Sequence, residues 1–174
     1  MRPAAGRLTA FPVTGGVLLG VGLGGFFDGI VLHQLLQWHH MLSSTAVSPD
    51  SVQGLRLNVL ADGVFHAATY VLTLLGLALL WRSARRAHLP WSGQGLPGAM
   101  LLGFGLFNVI EGTVNHFLLG IHHVNETAPQ AQWIYWDATF LVWGFVMILL
   151  GMGLLRTARK HDQASGSMSG PMRR

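Results

Sequence analysis

Gly24-Gly25-Phe26-Phe27-Asp28-Gly29-Ile30-Val31-Leu32-His33-Gln34-Leu35-Leu36-Gln37-Trp38-His39-His40 decides how this chain is read. It sets one acid and three histidines into a run otherwise apolar enough for a membrane. An ionisable side chain in hydrocarbon costs roughly 2.5–3.5 kcal/mol on insertion scales, so Asp28 needs something to hold it. The same situation recurs along the chain. Asp28, Asp62, Glu111 and Asp137, four of the seven acidic residues, lie in such runs, and so do His33, His39, His40, His66, His116, His122 and His123, or at one end of them.

Working outward, four runs are long enough to cross a hydrocarbon core, which takes about 20 helical residues. They cover roughly residues 13–42, 55–81, 97–121 and 132–155. The first, at about 30 residues, is expected to tilt or project from the bilayer. With 174 residues, half of them hydrophobic and a tenth charged, the chain reads as one membrane domain (1–162) with a disordered tail (163–174) rich in Ser, Gly, Met and Arg.

Arginine and lysine set the orientation, because they collect on the cytoplasmic side of short loops. Arg2 and Arg7 precede the first run, Arg82, Arg85 and Arg86 follow the second, and Arg156, Arg159, Lys160, Arg173 and Arg174 follow the fourth; only Arg56 falls on the other side. Both termini are therefore expected in the cytoplasm, with the protein in the inner (plasma) membrane and loops 43–54 and 122–131 facing outward. Trp38, Trp133 and Trp136 would mark the outer interface and Trp81 and Trp91 the inner one. The net charge of +4 follows from this topology and gives no support to nucleic-acid binding. No small-residue cleavage pattern follows the first apolar stretch, so it reads as a retained helix.

A shift of 83 residues aligns Leu18–His40 with Leu101–His123, with 12 of the 23 positions identical. Both copies read Asp/Glu-Gly-x-Val-x-His, then five residues, then His-His. A weaker match at a shift of 75 pairs Asp62 with Asp137, Phe65 with Phe140 and Gly76 with Gly151, whereas His66 meets Leu141. The fold expected is an all-α four-helix membrane bundle of two tandem hairpins (13–81 and 97–155), inserted the same way up as in parallel-repeat transporters.

On ideal α-helices the polar residues do not all share a face. Asp28 and His39 would lie about 20° apart but some 16 Å apart in height, while His33 would sit about 140° from Asp28. Asn58, Asp62 and His66 form a stripe on the second helix, and Asn108, Glu111 and Asn115 one on the third. Heights counted from the outer ends put most of this set in the outer half of the bilayer, with the His-His pairs at its rim.

Imidazoles and carboxylates together suit Fe, Zn, Mn or Cu, and the absence of cysteine excludes thiolate sites. The candidate metal ligands are Asp28, His33, Asp62, His66, Glu111, His116 and Asp137 inside, with His39, His40, His122 and His123 as access or additional ligands. Dinuclear carboxylate bundles give a partial precedent, although their Glu-x-x-His spacing differs from the one here. Two readings compete. Histidines from facing helices, such as His33 and His116, could ligate a haem, and an Asp/Glu/His chain could move protons or metal ions. The bland alternative is polar hydrogen bonding between glycine-rich helices. His88 and His161, among basic residues, read as solvated surface. No serine nucleophile, phosphate loop or zinc-protease motif is present.

The string 24–40, the stretch Ala61-Asp62-Gly63-Val64-Phe65-His66 and the stretch Asn108 to His123 resemble the bacterial membrane-protein family catalogued as domain of unknown function 2243. The likeness runs from about Leu18 to Leu155. What the resemblance implies is a membrane protein whose relatives occur near respiratory oxidase assembly proteins, hence copper or haem handling at the outer face and a respiratory-chain or assembly partner. The sum is an intramembrane His/carboxylate metal site, possibly dinuclear, serving redox chemistry or metal handling, with enzyme and carrier both open.

Overall fold

The computed structural model describes residues 12–85 and 93–168. Arg2, Arg7, Arg86, His88, Trp91, Arg173 and Arg174, used above for orientation and surface, lie outside them. Among the described residues every element is helical, and four helices are long and apolar enough to cross a membrane. We number them α1 (Val13–Leu35), α2 (Val52–Ala84), α3 (Gly95–Leu118) and α4 (Gln130–His161, continuing to Met168).

Two boundaries correct the expectations. The first span ends at Leu35 instead of near residue 42, because the chain leaves helical geometry and Gln37 takes a left-handed φ of 51°. Helix α4 runs on to Met168, so residues 163–168 of the expected disordered tail are helical. Extending an established helix adds one hydrogen bond per residue fixed, which avoids the cost of a new nucleus.

Helices α1 and α3 pack against each other in the centre; α2 packs on α1 and α4 on α3, while α2 and α4 do not meet. Burial follows that order: 50% of the apolar window of α1 is buried against 17% of that of α2. Glycine sets the central crossing. A Cβ on Gly20 would overlap the carbonyl of Met100, and one on Gly103 would overlap the carbonyl of Val17. Only residues without a side chain let these backbones approach so closely. The two contacts are the same contact with the partners shifted by 83.

Apolar packing closes the two ends. Leu80, Ala99 and Leu155 form one buried cluster; Leu32, Val124 and Phe140 form another, toward the histidine-rich end. Between α1 and α2, and between α3 and α4, the chain forms loops 36–51 and 119–129. They are tied to each other by Ser44 N donating to Ile121 O (3.0 Å), by Glu126 N donating to Trp38 O (2.9 Å) and by the Ser44 hydroxyl donating to Glu126 (2.6 Å). Asn58 on α2 anchors the first loop, accepting from Leu42 N and donating to Val47 O.

Candidate metal centre

The last turns of α1 and α3 are π-helical, over Phe27–Leu35 and Gly112–Leu118. A π-turn closes i→i+5 and brings residue i+5 over residue i, where an α-helix would swing it away. Asp28 and His33, expected about 140° apart, therefore meet, with Oδ2 and Nε2 3.2 Å apart. Glu111 and His116 meet in the same way at 3.4 Å. The correction has a plain cause: the ideal rise and rotation do not apply where the helix widens.

The chain then turns inward. Leu36 N donates to Val31 O and Trp38 N to Leu32 O; in the second half Leu119 N donates to Val114 O and Ile121 N to Asn115 O. Gln37 (φ 51°) and Gly120 (φ 57°) occupy equivalent positions and supply the left-handed step. In consequence His39 and His122 do not stand at a rim some 16 Å from the acids. They fold back beneath the loops and are buried, 3% and 0% exposed. Their rings stack with centroids 4.6 Å apart, and His39 lies 4.3 Å from His33, His122 5.0 Å from His116.

Each half supports its histidines in the same manner. Asp62 binds the His33 Nδ1 (2.9 Å) and Met41 N (2.8 Å) through Oδ1, and the His40 Nδ1 (2.8 Å) through Oδ2. Asp137 receives Val124 N (2.9 Å) and faces the His116 Nδ1 (3.4 Å) through Oδ1, and binds the His123 Nδ1 (2.6 Å) through Oδ2. The halves also clasp each other: the His39 Nδ1 bonds to Val124 O (2.9 Å) and the His122 Nδ1 to Met41 O (3.1 Å). With Nδ1 of His33, His39, His116 and His122 directed at oxygen acceptors, the remaining nitrogen of each is Nε2. Outer acceptors that fix the tautomer in this way are what metal-ligating histidines carry.

Unmet hydrogen-bonding capacity gathers inside. His39 Nε2, Asp28 Oδ1 and Glu111 Oε2 are buried without a hydrogen bond, His33 Nε2 and His116 Nε2 have only the long contacts to Asp28 Oδ2 and Glu111 Oε1, and His66 Nε2, apart from this group, is unbonded too. Buried polar groups are nearly always bonded, so such a cluster calls for a ligand or an ion. The potential ligand atoms of His33, His39 and His122 lie within 4.8 Å of one another, as do those of Glu111, His116 and His122. His33 and His122 each stand between two acceptors: Asp62 and Asp28 for the first, Met41 O and Glu111 (2.9 Å) for the second. A neutral imidazole has one N–H, so each needs a second proton, or a cation in its place. Burial holds the His39 imidazole well below its ordinary range, reinforced by the neighbouring His122 and His33.

The geometry thus brings together Asp28, His33, His39, Glu111, His116 and His122, with Asp62 and Asp137 behind them. His40 and His123 sit at the outer edge, part-exposed and bound to those two aspartates. His66 is not joined to them: its ring packs near Phe26 and Phe65, against the backbone of Gly29. Residue spacing alone missed the backbone partners, Met41 and Val124, since nothing in a loop's side chains announces which carbonyl will face a ring.

A multi-pass helical membrane protein with a buried His/carboxylate cluster able to hold metal is what the fold and this cluster define. The chain belongs to the family described as "Predicted membrane protein (DUF2243)", whose model matches residues 15–158. No curated protein and no solved structure matches it.

Proposed function

We propose that this protein binds two transition-metal ions within the membrane, one in each of two repeated halves. Asp28, His33 and His39 would hold one ion, and Glu111, His116 and His122, each 83 positions on, the other. Two histidines and one carboxylate with open positions are the ligand set of non-haem iron sites, and they also accept Mn, Cu or Zn. Bound there, such ions would supply redox or Lewis-acid chemistry. Asp62 and Asp137 act as outer supports, and His40 and His123, at the outer edge, lie where ions would pass to and from the extracytoplasmic side.

The single observation that carries this reading is the convergence of unbonded buried nitrogen and carboxylate atoms on one interior space. Charge agrees with it. Asp28, Asp62, Glu111 and Asp137 are all buried. Their four negative charges are cancelled by two divalent ions with every imidazole neutral, which removes the penalty of unpaired buried charge. With both termini cytoplasmic, the orientation that the arginine distribution favours, the centre would lie in the outer half of the inner membrane. Oxidoreductase and metal-delivery roles, with a respiratory-chain or assembly partner, are the two outcomes this centre can serve.

The imidazoles that stand between two acceptors support a second reading, in which protons take the place of metal and the Asp/Glu/His chain moves protons. Elemental analysis of detergent-purified protein, with an optical spectrum, separates the two. About two ions per chain, lost in part on replacing either His33 or His116 with Ala, supports the metal centre. Metal-free protein after reconstitution with Fe, Mn, Cu and Zn supports the proton path.

A further inference from the structure

Beside the centre an apolar cavity of about 590 Å³ opens between α2, loop 36–51 and α3, lined by Met41, Leu57, Leu60, Val64, Phe65 and Asn115 among others. A second recess of about 270 Å³ lies between α1 and α3, lined by Val21, Phe107, Ile110, Glu111, Val114 and Asn115. Asn115 lines both. Leu57, Leu60, Val64 and Ile110 on their borders are exposed on the outer, lipid-facing surfaces of α2 and α3. A molecule reaches this groove from hydrocarbon.

The inner wall is one side chain thick. Phe65 stacks on His33 (centroids 5.9 Å apart, 17° between planes) and lies 6.0 Å from Phe107. Asn115 donates to Glu111 Oε1 (3.2 Å). Met41, also on the wall, gives its N–H to Asp62 and its carbonyl to His122. The groove thus touches supports of both halves of the centre.

We propose that this groove binds a membrane-dissolved quinone or quinol, with its ring beside Phe65 and its oxygen on Asn115. Three features select that chemistry. The volume falls in the range of about 300–1,000 Å³ usual for small-molecule sites, which are apolar with a few fixed polar groups. The aromatic wall at Phe65, backed by Phe107 behind it, suits a flat ring better than an acyl chain. The Asn115 carboxamide keeps one N–H and its oxygen beyond the bond to Glu111, so it serves a quinone carbonyl or a quinol hydroxyl equally. A lipid chain would leave both unmet. The inference deepens the metal-centre reading, since it names what the centre would exchange electrons with, but the groove itself is formed by protein alone.

The test is photolabelling of the purified full chain with an azido-benzoquinone carrying a decyl tail, mapped by mass spectrometry, with metal content measured on the same samples. Labels in 57–65 and 110–115, competed by decylubiquinone and weakened roughly tenfold by Leu60→Trp or Asn115→Leu, support the site. Labels spread over the lipid faces of α2 and α4, without competition, overturn it. Metal present with no competed label removes this inference alone. Competed label without metal leaves the groove and removes the metal centre.

Discussion

His39 and His122, 83 positions apart, stack with ring centroids 4.6 Å apart and 11° between their planes, and each bonds through Nδ1 to a backbone carbonyl of the other half of the chain. Neither half completes its own support. Replacing either ring with Ala removes a proposed ligand and leaves the opposite carbonyl unpaired, so metal content should fall for both, and the double variant should bind none. Equal metal content in wild type and His39→Ala would remove His39 from the ligand set.

The aspartates behind the rings call for a milder effect. Asp62→Asn and Asp137→Asn keep the shape but can present N–H instead of an acceptor to the His33 and His116 Nδ1. Loss of such outer partners typically costs 10–100-fold in metal affinity. Chelator competition should show that weakening in both variants, with the stoichiometry restored at high metal. Unchanged affinity in both would mean that the two aspartates serve folding only.

His66→Phe makes the contrast. The ring packs against Gly29 and two phenylalanines, outside both ligand groups. Metal content should stay at the wild-type level, and a loss of one ion per chain would place His66 in the centre after all.

His39 should make the metal-free protein more sensitive to acid than a variant that lacks this imidazole. His39 is held below its ordinary value by burial. The unfolded chain takes up a proton at His39 near pH 6.5 that the folded form refuses, so unfolding gains as pH falls through that region. The contribution of this residue is fully present above about pH 6.5 and is lost on the way down to the folded pKa. Between about pH 7.5 and 5.5 the Tm of the wild type should fall relative to that of His39→Gln. Parallel slopes for the two proteins would contradict the assignment.

Gly20→Val and Gly103→Val should each destabilise the central crossing, since the added atoms overlap the Met100 and Val17 carbonyls. Overpacking of this kind costs about 1–3 kcal/mol or more. Gly153, with open space where a Cβ would stand, is the control, and Gly153→Ala should unfold in detergent titration at or above the wild-type midpoint.

Most of the architecture was legible in the pattern of charges and apolar runs, because hydrocarbon thickness dictates helix length and a buried acid has to be paired. The residue types that the fold gathers were legible too: the spacing from Asp28 to His33 and from Glu111 to His116 stood out as repeated. What spacing could not give was distance. A five-residue step means opposite sides of an α-helix and near-contact across a π-turn, and no residue type in 27–35 marks the wider winding. The His-His pairs misled for a related reason. Gln37 carries no glycine-like signal for a left-handed turn, so the run 13–42 read as one straight helix with His39 at its far end. His66, by contrast, shared a helical stripe with Asp62, yet one turn along α2 its ring meets Phe26 and Gly29 instead of the histidines.

The reciprocal bonds from His39 to Val124 and from His122 to Met41 also set an order of events during synthesis. When only α1 and α2 have left the ribosome and entered the bilayer, the carbonyl that orients His39 has not been translated. The cluster cannot close until α3 and the loop after it have been made and folded against α1. On the proposed reading, loading with metal would be a late, post-insertion step, carried out on a chain whose four crossings are already in place.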